Sequence, residues 1–282
     1  MIVMDGKAVS AAVKDEVKKE VEDLKTKGKV PSLAVVLVGN DPASKVYVGN
    51  KKKACEYCGI KSLEYLLEES TSEQELLGLI DVLNKEPTVN GILVQLPLPS
   101  HINEQHIINA INPHKDVDAF HPVNVGKIMT GNPDFLPCTP AGVMEIFKKY
   151  NIETAGKDCV IIGRSNIVGK PMSMLMLAAD STVTVCHSKT KDLKQKCKNA
   201  DIIIAAVGRA DFVTADMVKE GAVVIDVGIN RTESGKLCGD VDFAEVSKKA
   251  SYITPVPGGV GPMTIATLMK NTLSAFKIAD KK

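Results

Sequence analysis

The chain has 282 residues, 44% of them hydrophobic, and its 35 basic and 34 acidic side chains leave a formal net charge of +1. This length supports one large domain or two medium-sized domains with a cleft between them, and we favour two. The balanced charge excludes the strong basic or acidic excess that favours nucleic acid or an anionic membrane as a partner. The N-terminal residues are charged too early for a signal peptide, and no apolar run approaches the roughly 20 residues of a membrane span, so we expect a cytoplasmic protein that acts on a small metabolite.

The cysteines indicate reduced thiols. There are seven, an odd number, scattered along the chain. Cys55 and Cys58 form the one CxxC pair, and no second pair follows as a zinc site would require, so we favour core packing over metal or redox chemistry for them. The histidines match no metal-binding motif, and no metal is predicted.

The first part of the chain alternates helical and strand patterns. Apolar residues recur at helical spacing over residues 7–27, and the apolar run 33–38 has the length of a strand. Further strands are predicted at 63–67 and 91–94, with helices from 43 through Tyr57 and at 73–83. Apolar strands that alternate with helices predict an α/β fold whose parallel sheet is covered on both faces.

Between residues 112 and 140 five prolines interrupt the periodicity, which we interpret as a linker or active-site wall that contains the domain boundary. The second half then resumes the α/β pattern, as in a Rossmann-like, doubly wound parallel sheet. Its predicted elements are strands at 159–162, 182–186, 202–206 and 223–227, a last strand near Tyr252, and a final helix over 263–279.

A turn with two glycines follows the first strand of this second half. Gly163 and Gly169 bracket it, and Pro171 could lie in the first turn of the next helix. Alone, such a turn fits an ordinary connecting loop as well as a cofactor site, but its place between a strand and a helix favours a nucleotide phosphate held by backbone amides.

The segment after the following strand indicates which cofactor binds. An NAD site carries a carboxylate there for the ribose hydroxyls, whereas this chain has residues 186–190 with the sequence CHSKT. Arg164, His187 and Ser188 could donate to a ribose phosphate, so we favour NADP over NAD. The alternative is that these are solvated loop residues.

Four polar residues are candidates for chemistry. Tyr47 and Lys51 share a face if their segment is helical, although Lys52 and Lys53 adjoin and spacing alone does not single out Lys51. Gln95 ends an apolar strand, where α/β folds present ligand-binding groups. The fourth candidate is Asp116 or Asp118: the two carboxylates lie in a proline-flanked loop, and one of them could hold the edge of a heterocycle, or both could be surface carboxylates.

Taken in order, six segments resemble the bifunctional methylenetetrahydrofolate dehydrogenase/cyclohydrolase family, known as FolD in bacteria. They read VGNDPASKVYVGNK, GILVQLPLP, DVDAFHP, PCTPAG, GRSNIVGKP and ITPVPGGVGPMT, and they span nearly the whole chain. The resemblance implies a folate-binding catalytic domain at 1–138, completed by a C-terminal helix at 263–282, and a Rossmann-like NADP-binding domain at 139–262.

The resemblance also implies the reaction. NADP would oxidise 5,10-methylenetetrahydrofolate to 5,10-methenyltetrahydrofolate, which is then hydrolysed to 10-formyltetrahydrofolate, in the one-carbon metabolism that serves purine biosynthesis. A homodimer is implied as well. A lysine beside the cationic methenyl intermediate should have a lowered pKa and could act as a base when neutral.

By the same match Lys51 is the main catalytic residue, Tyr47 stacks on the folate, Gln95 tunes Lys51 and Asp118 grips the pterin. The other substrate-side residues would be Ser44, Pro257, Gly258, Gly259 and Gly261. The cofactor-side residues would be Cys138, Thr139, Gly163, Arg164, Ser165, His187, Ser188 and Ile229. One departure is Ala119, where family members commonly have glycine, and it puts the backbone beside the pterin in question.

Three rival readings remain at this point. Short-chain dehydrogenases also use a YxxxK pair, but there the glycine turn comes first, whereas Lys51 lies 112 residues before Gly163. A nucleotide-binding sensor on the same scaffold is a non-enzymatic alternative. A dehydrogenase without the cyclohydrolase activity is a closer one.

Overall fold

The computed structural model describes residues 1–232 and 234–281, which form two compact units. Unit 1 comprises Met1–Ser10 and Thr139–Thr264, and unit 2 comprises Ala11–Cys138 and Ile265–Lys282. The helices are α1 Gly6–Lys25, α2 Pro42–Cys58, α3 Glu73–Lys85, α4 Glu104–Ala110, α5 Pro122–Met129, α6 Cys138–Lys149, α7 Gly169–Ala178, α8 Leu193–Asn199, α9 Phe243–Val246 and α10 Val260–Ala279. The strands are β1 Ile2–Val3, β2 Ser32–Val38, β3 Lys61–Leu67, β4 Gly91–Val94, β5 Asp158–Ile162, β6 Thr182–Cys186, β7 Ile202–Ala205, β8 Val223–Asp226, β9 Asn230–Arg231, β10 Leu237–Cys238 and β11 Tyr252–Ile253. No helix in the described ranges is long and apolar enough to cross a membrane.

Unit 2 contains a three-stranded parallel sheet in the order β3-β2-β4. Every residue of the central strand β2 is buried, and successive side chains enter different cores. Val35 packs with residues of α1, α2 and α10, whereas Val36 packs with residues of α3 and α4. Because side chains alternate along a strand, both faces of the sheet are covered by helices, which confirms the α/β prediction for this part of the chain.

Unit 1 contains a six-stranded sheet in the order β1-β11-β8-β7-β5-β6, in which every pair of neighbours is parallel. The order reverses beside β5, as in a doubly wound sheet, which confirms the predicted architecture. The edge strand β1 comes from the N-terminus, with Ile2 opposite Tyr252. This pairing groups residues 1–10 with unit 1, whereas the predicted boundary placed them in the first domain. The antiparallel pair β9-β10 stands apart from the large sheet.

The proline-rich stretch differs from the prediction. It was interpreted as linker or wall, yet it contains α5 and the start of α6. Pro122 is the first residue of α5, with the side chain of His121 accepting a hydrogen bond from the Val123 amide, and Pro140 lies in the first turn of α6. Proline lacks an amide hydrogen, and the first turn of a helix does not need one, so these prolines begin helices. The interpretation as interruptions was wrong for these two prolines, whereas Pro113, Pro133 and Pro137 lie outside the helices and strands.

Candidate active site

Helix α2 carries three of the predicted site residues. It begins at Pro42, where the Asp41 carboxylate accepts a hydrogen bond from the Ser44 amide at 2.7 Å, and it ends before Gly59, whose φ of 75° is left-handed. Ser44, Tyr47 and Lys51 therefore follow one another along a single helix, with Tyr47 and Lys51 one turn apart. Ser44 is buried and Tyr47 is half-buried, and burial raises the pKa of the Tyr47 hydroxyl.

The Lys51 ammonium is buried against Gln95. The residue is only 7% exposed, and its Nζ donates to Gln95 Oε1 at 2.7 Å. Gln95 follows β4 directly, and its backbone amide still donates to Val36 in the sheet. Its Nε2 donates to the Leu96 carbonyl at 2.6 Å, which leaves the Oε1 atom facing the lysine. The predicted contact between Lys51 and Gln95 is thus present in unit 2.

Burial and charge oppose each other at this lysine. Desolvation lowers the pKa of Lys51, and the carboxylate of Asp118 is the main influence in the opposite direction. Asp118 is partly buried, and desolvation raises its pKa against the pull of the lysine charge. Both groups are therefore closer to their neutral forms than exposed groups would be, and a neutral lysine can accept a proton.

The neighbouring lysines are set apart from Lys51 by their surroundings. Lys52 is exposed and forms an ion pair with Glu64 at 2.8 Å, and this hydrogen bond raises the pKa of Lys52. Lys53 is exposed as well. The spacing of the sequence left the choice among the three open, and burial favours Lys51.

Asn271 was missed by the sequence analysis although it braces this part of unit 2. It is buried on α10, and its Nδ2 lies 2.8 Å from the carbonyl oxygens of both Val117 and Leu136. It thereby ties the residue before Asp118 to the chain just before Cys138. No local signal identifies it, because Thr267 and Thr272 of the same helix are buried polar residues as well.

Cys138 lies with this group. Its Sγ donates to the Val117 carbonyl at 3.5 Å, and burial, with the nearby Asp118 carboxylate, raises the pKa of the Cys138 thiol well above its usual value. Thr139, also predicted on the cofactor side, lies in unit 1, and its hydroxyl is 2.9 Å from that of Thr264. Cys55 and Cys58, by contrast, are fully buried in the hydrophobic core, which confirms the interpretation as core residues.

Ala119 is the departure from the common glycine. Its φ of 59° lies in the left-handed region, and its side chain is fully buried in the hydrophobic core. The chain therefore keeps the backbone conformation that a glycine would adopt readily, at a strain of roughly 1–2 kcal/mol for a residue with a Cβ atom. The change to alanine leaves Asp118 on a turn of the shape that glycine allows.

In unit 1 the two glycines of the turn after β5 allow backbone segments to touch. A Cβ on Gly163, whose φ is 132°, would lie 2.2 Å from the Ala206 carbonyl oxygen. A Cβ on Gly169 would lie 2.3 Å from the Gly163 carbonyl oxygen. The strand, the turn and α7 therefore pack as closely as dinucleotide-binding units require.

The polar side chains of this turn face solvent. Arg164 and Ser165 are exposed. The Ser165 hydroxyl accepts from the amides of Val168 and Gly169 at 3.2 and 3.3 Å, and the Ser165 carbonyl accepts from the Lys170 amide. Because these amides at the start of α7 are engaged within the turn, the donors best placed for a phosphate belong to residues 164–167.

The segment after β6 ends at the same edge of the sheet, because β5 and β6 are parallel neighbours. The His187 amide donates to the Thr190 hydroxyl at 2.8 Å, which turns the chain and leaves Ser188 exposed. The residues after β6 include no carboxylate up to Lys191. The predicted donors for a ribose phosphate are therefore at the edge where doubly wound sheets bind nucleotides.

Of the remaining predicted residues, Pro257, Gly258 and Gly259 lie in the loop of unit 1 before α10, and Gly261 lies in the first turn of that helix. The peptide bond before Pro257 is cis, and Gly258 has a φ of 105°. A Cβ on Gly259 would lie 2.5 Å from the Pro255 carbonyl oxygen, and one on Gly261 would lie 3.9 Å from the Ile229 side chain. This distance places Ile229, which is half exposed, beside Gly261.

The sequence analysis also missed two buried carboxylates of unit 1. Asp226 ends β8 and Asp240 follows β10, and both accept hydrogen bonds from backbone amides. Desolvation raises the pKa of Asp226 to about 6. An acidic residue inside an apolar strand was the available signal. Among the described residues, no group of three or more His, Cys, Asp or Glu side chains could hold a metal ion.

Two family profiles match the chain. The tetrahydrofolate dehydrogenase/cyclohydrolase catalytic domain matches residues 4–118, and the tetrahydrofolate dehydrogenase/cyclohydrolase NAD(P)-binding domain matches residues 137–280. The bifunctional protein FolD of Acetivibrio thermocellus is 62% identical over 279 residues, which cover 99% of this chain and 98% of that protein.

Solved structures agree with this match. The bifunctional FolD methylenetetrahydrofolate dehydrogenase/cyclohydrolase of Campylobacter jejuni has a TM-score of 0.97 and 58% identity, with 99% of each chain covered. The methylenetetrahydrofolate dehydrogenase-cyclohydrolase (FolD) of Trypanosoma brucei, solved with NADP and an inhibitor, has a TM-score of 0.96 and 39% identity, covering 100% of this chain and 99% of that one. With Lys51 held by Gln95, the glycine turn after β5 and matches along nearly its whole length, the chain belongs to the tetrahydrofolate dehydrogenase/cyclohydrolase family.

Proposed function

We propose that the chain catalyses two consecutive reactions of one-carbon folate metabolism. The first is the NADP-dependent oxidation of 5,10-methylenetetrahydrofolate to 5,10-methenyltetrahydrofolate, and the second is hydrolysis of that product to 10-formyltetrahydrofolate. The observation that carries this proposal is the buried Lys51, with its Nζ 2.7 Å from Gln95 Oε1 and with Asp118 acting on its charge. A solvated surface lysine would have neither feature.

The residues of unit 1 fit the dinucleotide. Gly163 and Gly169 permit the close turn, and the exposed Arg164 and Ser165 can donate to a phosphate, with His187 and Ser188 beside them at the edge of the sheet. NADP, when bound, supplies the acceptor for the hydride that leaves the one-carbon bridge. The absence of a carboxylate after β6 favours the phosphorylated cofactor, because a carboxylate there would repel the ribose phosphate.

Lys51 would act in the hydrolysis as a base. Burial lowers its pKa, so a larger fraction is neutral at a given pH than for an exposed lysine. The neutral amine takes a proton from a water molecule as the water oxygen forms a bond to the electrophilic methenyl carbon. Cleavage of one carbon–nitrogen bond, with a proton returned to the nitrogen, then leaves the formyl group on N10.

The other residues of unit 2 would bind and orient the folate. Asp118 would accept hydrogen bonds from the pterin edge, Tyr47 would offer a ring for stacking, and Ser44 lies on the same helix as Tyr47. The roles of the other candidate residues stay predictions, and so does the cleft between the domains. These candidate residues are Cys138, Thr139, Ile229, Pro257, Gly258, Gly259 and Gly261.

We further propose the domain roles and the assembly. Residues 1–138 and 263–282 would form the folate-binding catalytic domain, and residues 139–262 the NADP-binding domain. Residues 1–10 are an exception, because they are grouped with unit 1. The protein would be a cytoplasmic homodimer that binds neither nucleic acid nor membranes. Light scattering during gel filtration should give about twice the chain mass of 30.2 kDa, and a particle of one chain mass would contradict the dimer.

The activity is tested by following NADPH and the methenyl chromophore separately in purified protein. We expect NADPH to form from methylenetetrahydrofolate without lasting accumulation of the methenyl compound, and added methenyltetrahydrofolate to be hydrolysed faster than in buffer. Lys51→Ala should slow the hydrolysis by about 100-fold or more, since a positioned base contributes that much.

Lys52→Ala is the matched control, because it removes an exposed lysine from the next position of the same helix. It should retain wild-type rates within about twofold, as expected for a surface substitution. If folded protein reduced neither NADP nor NAD, the dehydrogenase proposal would fail. Dehydrogenase activity without faster hydrolysis would instead identify a monofunctional enzyme.

A further inference from the structure

Two aspartates are buried next to each other at the carboxyl end of the sheet in unit 1. Asp226 is 3% exposed and Asp240 is fully buried. Neither forms a salt bridge in the described ranges of the chain, so backbone amides are the main groups that balance their charge. Buried carboxylates are expensive to keep without a basic partner, so their presence calls for an explanation.

Asp240 joins two loops that follow neighbouring strands. Its Oδ2 accepts from the amides of Val207 and Gly208 at 2.6 and 3.0 Å, just after β7. Its Oδ1 accepts from the Arg209 amide and from Asn230 Nδ2, both at 2.9 Å. One carboxylate therefore holds the loop after β7 to the residues after β8.

Asp226 completes the connection from the other side. Its Oδ1 accepts from the amides of Gly228 and Asp240, and its Oδ2 accepts from the Val241 amide, all at 2.9 Å. Its own amide donates to the Thr254 hydroxyl at 2.8 Å. The Gly228 backbone, just before Ile229, and the backbone of Asp240 are thus fixed by the same side chain.

Two glycines make room for these carboxylates. A Cβ on Gly228 would lie 2.2 Å from Asp240 Oδ1, and a Cβ on Gly239 would lie 1.8 Å from Asp226 Oδ2. Neither glycine has a φ in the left-handed region, so it is the close approach of the carboxylates that requires them. The contact of each carboxylate with the neighbouring chain therefore depends on a glycine, Gly228 for Asp240 and Gly239 for Asp226.

We propose that Asp226 and Asp240 are positioning residues that fix the loops after β7 and β8 in the shape needed by the bound dinucleotide. In doubly wound sheets ligands bind beyond the carboxyl ends of the strands, where both loops lie. The half-exposed Ile229 lies between Gly228 and Asn230, each of which is held by one of the carboxylates. The inference rests on the proposed NADP-dependent activity, and neither aspartate touches the cofactor.

Asp240→Asn tests this inference in the full-length enzyme. The substitution turns one acceptor oxygen into a donor that faces amide donors, so two of the four hydrogen bonds are lost and the loops separate. We expect the Kd and KM for NADP to rise about tenfold, the equivalent of one lost charged hydrogen bond, while kcat at saturating NADP changes by less than about threefold. A general loss of structure would instead lower cofactor-free hydrolysis of methenyltetrahydrofolate in the same proportion.

Asp242→Asn is the control, because it makes the same substitution two residues away at a position that caps α9, and asparagine caps equally well. If folded Asp240→Asn bound NADP with the Kd of this control, the inference would be overturned. Should Asp240→Asn fail to fold, Asn230→Ala decides, because it removes a single donor to Asp240. An unchanged Kd there would also reject the inference, whereas wild-type protein without NADP binding would reject the proposed function itself.

Discussion

At the scale of single residues, the proposed hydrolysis depends on how readily Lys51 gives up its charge. Burial lowers its pKa, Asp118 raises it, and Gln95 contacts the ammonium without contributing a charge. A glutamine can hold the nitrogen in place whether or not it carries the extra proton. The identity of this neighbour therefore sets the pH at which the lysine becomes a base.

Gln95→Glu should move the pH dependence of hydrolysis to higher pH. A carboxylate 2.7 Å from Nζ would stabilise the ammonium and raise the pKa of Lys51 by about 1–2 units. Because only the neutral amine accepts a proton, the rising limb of the pH–rate profile should shift upward by the same amount. At a fixed pH below that limb, the rate should fall about tenfold for each unit.

Gln105→Glu is the control for this shift, since it makes the same change at an exposed position of α4. Its pH–rate profile should coincide with that of the wild type. A Gln95→Glu profile with an unmoved midpoint would show that Lys51 is not the titrating base.

The family motifs selected Lys51 and Gln95 as site residues, whereas spacing and hydrophobic pattern alone did not single out Lys51. The YxxxK spacing could not separate Lys51 from Lys52, because their difference lies in burial, which depends on β4 and on the loop that carries Asp118. Asn271 and Asp240 carry no local pattern, since their hydrogen-bond partners are distant in sequence or are backbone amides of other loops.

At the scale of elements, glycine and proline determined where prediction succeeded. The turn after β5 and the helix after it were predicted correctly, because Gly163 and Gly169 mark a close approach of backbones and Pro171 is tolerated in the first turn of α7. The same residue type misled the prediction at Pro122, where proline begins α5. Proline is compatible with either a break or a helix start, and the cap that His121 provides is visible only in the structure, because histidine is not a usual N-cap residue.

Gly169→Ala should disturb this turn. The added methyl group would lie 2.3 Å from the Gly163 carbonyl oxygen, so either α7 or the turn must move. Overpacking of this kind lowers the free energy of unfolding by about 1–3 kcal/mol, and the displaced turn should weaken NADP binding as well. Urea denaturation and an NADP titration measure the two effects.

Gly78→Ala provides the comparison, because a Cβ at this position of α3 meets nothing within 4 Å. It should leave the free energy of unfolding unchanged or raise it by about 0.5–1 kcal/mol, since alanine is the better helix former. Identical stability and NADP affinity in Gly169→Ala and wild type would contradict the close packing described for this turn.

At the scale of the whole molecule, the two sheets were predictable and the membership of the units was not. Apolar runs such as Ser32–Val38 and Ile202–Ala205 predict buried parallel strands from their composition alone. The pairing of Ile2 with Tyr252 has no such signal, because two residues are too few for a pattern. The return of α10 to unit 2 after Thr264 was implied by the family resemblance and has no signal in the hydrophobic periodicity.

This discontinuity has a consequence for how the protein is made. The ribosome releases β1 long before its partner β11, because Ile2 and Tyr252 are 250 residues apart along the chain. At about 5–20 residues per second that distance takes roughly 10–50 seconds to translate, during which β1 stays unpaired. Unit 1 is therefore complete only after the residues up to Thr264 have emerged, and unit 2 only after α10 has followed them.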